Sequence, residues 1–284
     1  MRTVHTITEV RQQVRDWRLA GLRVGFVPTM GNLHAGHIRL IDEARRHADR
    51  VVASVFVNPT QFGPSEDFAS YPRTLDADSE KLAAAQCDLL FAPSVDEMYP
   101  EKNRTWVDVD DLGDHLCGAS RPGHFRGVTT VVSKLFHIVE PDLACFGEKD
   151  FQQLAIIRRM VRDLFFPVEI IGVATAREAN GLAMSSRNGY LTTAQKDQAA
   201  ALYATLCDVK RRIEAGERDY PALVQAGTDQ LTRAGFAVDY LSINHADTLA
   251  PAASPDRHLV IAVAAKLGTT RLIDNVTLSI ACDQ

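Results

Sequence analysis

Near the start of the chain, hydrophobic and polar positions form two short apolar runs with an amphipathic stretch between them. Residues 23–27 are an apolar run that ends at Pro28, and residues 51–57 (VVASVFV) are almost wholly apolar and β-branched, so both predict buried strands. The stretch between them predicts a helix over about residues 37–50. Its predicted core positions are Ile38, Ile41, Ala44 and Ala48. Strand, helix and strand in this order form a βαβ unit.

The same alternation continues through the middle of the chain. Helical patterns cover residues 75–86, 128–139 and 151–164. Apolar runs that predict strands cover residues 89–92, 143–146 and 168–173. Strands that alternate with helices favour a parallel sheet with helices on both faces. We therefore predict an α/β fold with a Rossmann-like, doubly wound parallel sheet.

After about Thr175 the pattern changes to two helices followed by adjacent strands. The helices are predicted near residues 194–215 and 221–234, and the strands over 238–244, 258–264 and 270–273. Helices followed by neighbouring strands are typical of a separate α+β domain. We predict a larger domain over residues 1–176 and a smaller C-terminal α+β domain over residues 177–284.

Composition narrows the functional classes. The chain has 284 residues and a net charge of -5, which disfavours general nucleic-acid binding because that depends on neutralising phosphates with Lys and Arg. No apolar run approaches a membrane span, and the N-terminus lacks a signal-peptide pattern. The cysteines are Cys87, Cys117, Cys145, Cys207 and Cys282. Their odd number and their spacing match no zinc pattern, so we predict buried, reduced thiols in a cytoplasmic protein.

The most informative motif follows the first predicted strand. Residues 28–37 read PTMGNLHAGH, which places two histidines at a glycine-containing turn before a helix. Parallel sheets bind ligands beyond the carboxyl ends of their strands, and a helix N-terminus there offers N–H groups to phosphate. Gly31 and Gly36 allow the backbone to approach a ligand closely. His34 and His37, three residues apart, are predicted to reach one phosphate and to donate hydrogen bonds to it as imidazolium ions.

Two further motifs point to a nucleotide. The His-x-Gly-His pattern resembles the HIGH signature of the nucleotidylyltransferase superfamily, and residues 183–187 (AMSSR) resemble the KMSKS loop of the same superfamily. We predict that this loop is a mobile clamp on ATP phosphates. Residues 146–153 (FGEKDFQQ) begin where a strand ends. There Lys149 offers a positive charge to phosphate, and Asp150 is a candidate for capping the helix and binding a ribose hydroxyl.

A neutral polar pocket is predicted beside the histidine motif. Asn58 and Gln61 follow the second strand, and both side chains carry donors and acceptors without charge. Gln153 lies one helical turn after Lys149 and is expected to face the same way. Such groups suit a small hydroxy acid. The predicted apolar walls are Pro28, Met30, Phe62 and Val132.

Taken together, these motifs resemble the pantoate–β-alanine ligase (pantothenate synthetase) family. The matching segments run in the family's order at residues 28–37, 56–63, 71–74, 124–128, 146–153, 181–188 and 271–275. The resemblance implies that the carboxylate of (R)-pantoate attacks the α-phosphorus of ATP, giving pantoyl adenylate and pyrophosphate. The amine of β-alanine then displaces AMP to form pantothenate.

The resemblance also implies roles for individual residues. His37, with His34 beside it, would stabilise the departing phosphate, and Lys149 would hold phosphates together with residues 184–187. Gly147 and Asp150 would hold the nucleoside, and Ala176 would contact adenine through its backbone. Pantoate would bind Gln61 and Gln153, and β-alanine would approach Gln61 and Asn58. The full predicted ATP-binding set is Met30, Gly31, Asn32, Leu33, His34, Ala35, Gly36, His37, Gly147, Glu148, Lys149, Asp150, Ala176, Met184, Ser185, Ser186 and Arg187.

One segment departs from the family's pattern. The family often has a run of aspartates, linked to magnesium, after Tyr-Pro-Arg-Thr, and here Ala77 interrupts it between Asp76 and Asp78. Phosphate oxygens can hold most of a magnesium ion's ligand sites, so we expect Mg²⁺ dependence and assign no protein ligand. The family resemblance further implies a homodimer.

Three other functions fit parts of the sequence. A nucleotidylyltransferase acting on a phosphate-bearing substrate would need extra cations where Gln61 and Gln153 stand. A class I tRNA synthetase would need a basic face and a large anticodon-binding region. A non-catalytic nucleotide sensor would not need Lys149, the histidine pair and a mobile loop together.

Overall fold

The computed structural model describes residues 1–64 and 66–280 and divides the chain into two compact units. The first unit comprises Met1–Gly113, Arg121–Glu148 and Gln153–Ala174. The second comprises Asp114–Ser120, Lys149–Gln152 and the chain from Thr175 onward. The predicted division places residues 1–176 in one domain and 177–284 in the other, so it does not assign Asp114–Ser120 and Lys149–Gln152 to the second unit. The predicted division stays a prediction.

The first unit is built on a six-stranded parallel sheet. Its strands are β1 (Arg2–Val4), β2 (Val24–Thr29), β3 (Arg50–Val55), β4 (Leu89–Phe91), β5 (Leu143–Gly147) and β6 (Glu169–Val173). They lie in the order β1-β4-β3-β2-β5-β6, and every pair is parallel. The chain continues from β2 to one side and later returns to the other, so the order reverses beside β2. The predicted α/β, Rossmann-like class is confirmed.

In the part of the chain that the structure describes, six helices accompany this sheet and pack on its two faces. They are α1 (Ile7–Leu19), α2 (Ala35–His47), α3 (Leu75–Ala84), α4 (Val95–Met98), α6 (His124–Val139) and α7 (Phe151–Asp163). Phe26 of β2 lies in one core cluster with apolar residues of α1, α6 and α7. The next residue, Val27, lies in another cluster with residues of α2 and α3. Successive strand residues point to opposite faces, so these clusters are the two faces of one sheet.

The second unit is a small α+β unit with its own core. Its helices are α5 (Leu116–Ser120), α8 (Thr193–Ala199), α9 (Ala201–Glu214) and α10 (Tyr220–Arg233). Its strands β7 (Ala237–His245), β8 (His258–Leu267) and β9 (Thr270–Ser279) form an antiparallel sheet in sequence order. Apolar residues of α9, α10 and all three strands form one buried cluster.

The structure corrects several predicted boundaries. The helix predicted over 37–50 begins earlier, at Ala35, because the side chain of His34 caps it. The helix predicted over 194–215 is two helices that meet at Ala200, whose N–H bonds to Asp197 three residues back. Strand β9 runs six residues beyond the predicted end at Ile273, because it pairs with β8 along its whole length. The short elements β1, α4 and α5 were not predicted.

Within the described residues, no helix combines the length and the apolar character needed to cross a bilayer.

Cys87 and Cys145 are buried, and burial raises the pKa of each thiol to about 12. Cys117 and Cys207 are free but only half-buried, so the prediction of buried thiols is wrong for these two. Cys282 lies outside the described residues.

Candidate active site

The candidate site begins at the carboxyl end of β2. Residues Met30 to His34 form a turn between this strand and α2. Gly31 and Asn32 are in the left-handed region, with φ of 85° and 51°. Glycine adopts this conformation readily, and asparagine is among the few other residues that tolerate it. Because β2 has β3 on one side and β5 on the other, the turn lies where the strand order reverses, the usual ligand position in such sheets.

The two histidines meet at the first turn of α2. His34 is the N-cap residue and its Nδ1 accepts a hydrogen bond from the N–H of Gly36 at 3.1 Å. The Nδ1 of His37 accepts from the N–H of His34 at 3.3 Å. The ring centroids lie 4.1 Å apart and both side chains are half-buried. The structure therefore brings the two predicted rings side by side.

These caps determine which nitrogen of each ring carries the proton. A ring nitrogen that accepts a hydrogen bond is unprotonated, so the proton of each neutral imidazole is on Nε2. The prediction that both rings donate as imidazolium ions stays a prediction, and it requires Nδ1 of each ring to give up its cap hydrogen bond.

Two amide side chains lie after the neighbouring strand β3. Asn58 is the N-cap residue and Gln61 the last residue of a 3₁₀ helix (Pro59–Gln61), and they are 1% and 8% exposed. Asn58 Nδ2 donates to Gln61 Oε1 at 3.0 Å. Gln61 Nε2 lies 3.1 Å from the Sδ of Met30, at the start of the histidine turn. The structure thus joins the predicted amide pocket to the predicted histidine motif.

The amide of Asn58 is fully engaged within the protein. Its Nδ2 also donates to the carbonyl of Gly127 at 3.2 Å. Its Oδ1 accepts from the hydroxyl of Tyr99 at 2.9 Å and from the N–H and hydroxyl of Thr60. Burial raises the pKa of Tyr99, which keeps the hydroxyl protonated as a donor. This arrangement favours a role for Asn58 in orienting Gln61 over direct contact with a ligand.

Helix α6 packs against the backbone of the 3₁₀ helix that carries Gln61. A Cβ on Gly127 would lie 2.4 Å from the carbonyl oxygen of Thr60, so only glycine permits this approach. At the start of the helix, His124 Nδ1 lies 2.8 Å from the carbonyl oxygen of Gln61, and Arg121 contacts His124 Nε2 at 2.9 Å. Because the guanidinium can only donate, Nε2 accepts and Nδ1 donates to Gln61.

The same arginine fixes the loop that follows Gln61. Arg121 forms two hydrogen bonds with Glu66, at 2.7 and 2.6 Å, and both side chains are about four-fifths buried. Burial opposes ionisation of Glu66, but the hydrogen bonds and the charge of Arg121 outweigh it and hold the pKa of Glu66 below its usual value. Gln61 is therefore backed by an ordered chain of polar groups.

The second unit contains the predicted phosphate-binding lysine. Lys149 lies in a 3₁₀ helix (Glu148–Asp150), and its carbonyl accepts from Asn275 Nδ2 at 2.9 Å. Gln153 belongs to α7, so the α-helical spacing that predicted a common face with Lys149 does not apply. Gln153 is half-buried, whereas its neighbour Gln152 is buried and bonds to the backbone of residues 115 and 117.

The loop that resembles KMSKS is anchored at both ends. The N–H of Met184 donates to the carbonyl of Ala176 at 2.8 Å, which pairs two segments of the predicted ATP-binding set. Ser185 caps a 3₁₀ helix (Ser186–Tyr190) by accepting from the N–H of Arg187. The amide of buried Asn188 donates to the carbonyl of Ala183 at 3.0 Å. The predicted mobility of this loop stays a prediction.

The sequence analysis missed several residues of this site, because the pattern of hydrophobic and polar positions does not mark them. Asp78, Tyr99 and Gly127 contact the histidine turn or the amide pair from elements remote in sequence. His124 lay in a recognised motif without an assigned role. Among residues 1–64 and 66–280, no group of three His, Cys, Asp or Glu side chains could hold a metal ion.

Comparison with known proteins gives a consistent result. Residues 2–277 match the family model described as Pantoate-beta-alanine ligase. The pantothenate synthetase of Alcanivorax borkumensis is 62% identical over the whole of both chains. That of Pseudomonas fluorescens is 59% identical over 99% of each.

Solved structures agree with these sequence matches. The crystal structure of pantothenate synthetase from Thermus thermophilus superposes with a TM-score of 0.90 at 49% identity, covering 97% of this chain and 99% of that one. The pantoate-beta-alanine ligase of Francisella tularensis, complexed with beta-gamma ATP and beta-alanine, superposes with a TM-score of 0.82 at 34% identity, covering 97% of each chain.

Proposed function

Because this chain belongs to the pantoate–β-alanine ligase family, we propose that the residues at the carboxyl end of its parallel sheet carry out that family's reaction. The chain is an ATP-dependent ligase that condenses (R)-pantoate with β-alanine to pantothenate through pantoyl adenylate, releasing AMP and pyrophosphate. The observation that carries the residue assignment is the contact of Gln61 with Met30, which joins the amide pocket to the histidine turn.

Activation by adenylation follows from the chemistry of the acid. A carboxylate resists attack by an amine because its leaving group would be oxide. Once the carboxylate has displaced pyrophosphate from the α-phosphorus, the acyl carbon carries AMP, a far better leaving group. The amine of β-alanine then forms the amide bond and AMP departs with the electron pair of the broken C–O bond.

The histidine pair acts on the phosphates in this proposal. His34 and His37 present Nε2–H groups from one helix turn, and the backbone caps fix the orientation of both rings. Preorganised donors stabilise charge that develops on phosphate oxygens during displacement. His37 is the principal stabiliser of the departing pyrophosphate and His34 supports it.

The remaining assignments divide between nucleotide and acid. Gln61 and Gln153 bind pantoate, and β-alanine enters near Gln61 and Asn58, where Asn58 serves by orienting Gln61. Lys149 is the phosphate-binding cation. The other proposed ATP contacts are Met30–Gly36, Gly147, Glu148, Asp150, Ala176 and Met184–Arg187. Residues 1–176 are proposed as the nucleotide- and pantoate-binding domain and residues 177–284 as a smaller C-terminal α+β domain.

Magnesium enters the proposal with ATP. The described residues offer no cluster of three protein ligands, and both carboxylate oxygens of Asp78 accept hydrogen bonds from the protein. The chain therefore fits a magnesium ion held chiefly by phosphate oxygens and water. That ion would supply charge neutralisation on the phosphates. We further propose that the protein is a cytoplasmic homodimer.

The decisive assay supplies ATP, Mg²⁺, (R)-pantoate and β-alanine, and measures AMP together with pantothenate. Pyrophosphate release with pantoate alone isolates the first half-reaction. Formation of ADP and phosphate would exclude adenylation. Turnover only with a phosphate-bearing acceptor would favour a nucleotidylyltransferase, and ATP binding without turnover would favour a sensor.

A further inference from the structure

A buried carboxylate on α3 holds the turn that carries the histidines. Asp78 is 0% exposed, although it lies in a helix whose neighbouring residues are largely solvent-exposed. Its oxygens accept from the N–H of Asn32 at 2.8 Å and from the N–H of Leu33 at 2.7 Å. The hydroxyl of Thr74 donates to it at 3.0 Å. Burying a carboxylate is unfavourable unless hydrogen bonds replace its hydration, and these three donors do so.

A second side chain on the same face of α3 also binds this turn. Lys81 lies three residues after Asp78, so both side chains project from one side of the helix. Its Nζ donates to the carbonyl of Leu33 at 2.7 Å. Helix α3 thus binds both the N–H and the C=O of Leu33. This fixes the orientation of the two peptide groups immediately before His34.

The turn held in this way includes one left-handed residue that carries a Cβ, Asn32. Gly31 adopts the left-handed conformation readily, whereas the same conformation is less favourable for Asn32. A Cβ on Gly31 would lie 3.1 Å from the Oδ2 of Asp78, so glycine also makes room for the carboxylate. The hydrogen bonds that Asp78 accepts from the N–H groups of Asn32 and Leu33 offset this cost and fix the path of the turn.

We infer that Asp78 is a positioning residue that aims the donors of His34 and His37 through the backbone of the preceding turn. This inference rests on the proposed role of the histidines. Asp78 itself touches neither substrate nor metal in this assignment, because its oxygens are occupied by Asn32, Leu33 and Thr74. It also gives a reason why an aspartate remains in this acidic segment although Ala77 interrupts the run.

The test compares Asp78→Asn with Glu80→Gln, which removes a charge from an exposed position of the same helix. Asparagine preserves the shape but offers one acceptor oxygen and places an NH₂ against a backbone donor. In the pyrophosphate-release half-reaction we expect Asp78→Asn to lower kcat about 10- to 100-fold while KM for pantoate changes less than about twofold. Glu80→Gln should match the wild type.

A spectroscopic measurement reports the hydrogen-bonding environment of the rings. In ¹⁵N-histidine-labelled protein, with resonances assigned by single histidine replacements, the ring signals of His34 and His37 should shift in Asp78→Asn and stay in place in Glu80→Gln. Raising the Mg²⁺ concentration should not restore activity to Asp78→Asn. Restoration by Mg²⁺, or wild-type kcat with unshifted ring signals, would overturn the inference.

Two further variants separate the possible failures. If Asp78→Asn does not fold, Lys81→Met tests the same turn from an exposed position, with a smaller loss of kcat and shifts in the same ring signals expected. Unchanged signals and kcat in that variant would reject the inference. If His37→Ala keeps full activity, the proposed histidine chemistry fails, whereas shifted ring signals in Asp78→Asn would still report the positioning contact.

Discussion

Replacing Gly127 with alanine will move the backbone that carries Gln61. A Cβ at Gly127 would lie 2.4 Å from the carbonyl oxygen of Thr60 and 2.8 Å from the Cα of Gln61. Ordinary contact begins at 3.4 Å, so the carbonyl must retreat by about 1 Å. The atoms in the way belong to the backbone, and no side-chain rotation relieves the overlap.

Two opposing free-energy terms set the expected change in stability, and the displacement of the backbone sets the expected loss of rate. In a helix interior, glycine to alanine ordinarily stabilises by about 0.5–1 kcal/mol. Forcing a methyl group into a packed contact costs about 1–3 kcal/mol. The clash outweighs the propensity term over nearly all of these ranges, and the free energy of unfolding should fall by about 1 kcal/mol. A 1 Å misplacement of a substrate-positioning group costs about 100-fold in rate, which sets the upper scale for the loss.

The assay is pyrophosphate release at varied pantoate and varied ATP, combined with urea unfolding. For Gly127→Ala we expect kcat/KM for pantoate to fall by about 10- to 100-fold, while KM for ATP changes little. Gly113→Ala is the matched control, because a Cβ there meets only the carbonyl of Val109 at 3.5 Å. If Gly127→Ala keeps both the unfolding free energy and kcat/KM of the wild type, the supporting role of α6 beneath Gln61 is refuted.

Three further predictions concern the histidine, the second amide and the loop. His37→Ala should lose at least about 2 kcal/mol of transition-state stabilisation, measured as kcat/KM. His47→Ala, on the exposed end of the same helix, should lose none, and near-wild-type kcat/KM in His37→Ala would remove His37 from the mechanism. Gln153→Ala should weaken pantoate far more than ATP in titrations, and equal weakening of both would contradict the proposed pocket. Because Arg121 depresses the pKa of Glu66 in the folded state, that carboxylate stabilises the fold above its unfolded value near pH 4, and the contribution is lost as pH falls through the folded pKa. Glu66→Gln should therefore show a smaller loss of stability on acidification than the wild type in urea unfolding at pH 7 and at about pH 3. Equal acid sensitivity of the two proteins would show that the pair does not contribute.

The central fold could be predicted because its signal is local. Continuous apolar runs such as residues 51–57 occur where a strand is covered on both faces, and that burial follows from composition alone. The ends of the helices and strands were harder to predict from the sequence. The N-terminal start of α2 depends on the ring of His34 replacing the usual capping hydroxyl, and the length of β9 depends on its pairing with β8.

The site was predicted in part for the same reason. His34 and His37 are three residues apart, so their proximity follows from helix geometry. The hydrogen bond between Asn58 and Tyr99 joins residues 41 positions apart, and the one between Asn58 and Gly127 joins residues 69 positions apart. Neither contact can be predicted from the periodicity of the sequence. Asp78 was interpreted only as part of an acidic run, because its two backbone donors lie in a turn 46 and 45 residues earlier in the chain.

The chain of hydrogen bonds behind Gln61 decides which end of its amide can meet a ligand. Tyr99 stays protonated and donates to the oxygen of Asn58, and Asn58 in turn donates to the oxygen of Gln61. The NH₂ group of Gln61 is therefore the end directed toward Met30 and the histidine turn. In the proposed reaction this gives pantoate a neutral donor. A cation in that position would bind the carboxylate more strongly but would also withdraw the negative charge needed for attack on phosphorus. A fixed amide orients the acid and leaves its nucleophilic charge intact, which is the physical reason for expecting glutamine rather than lysine or arginine at this position.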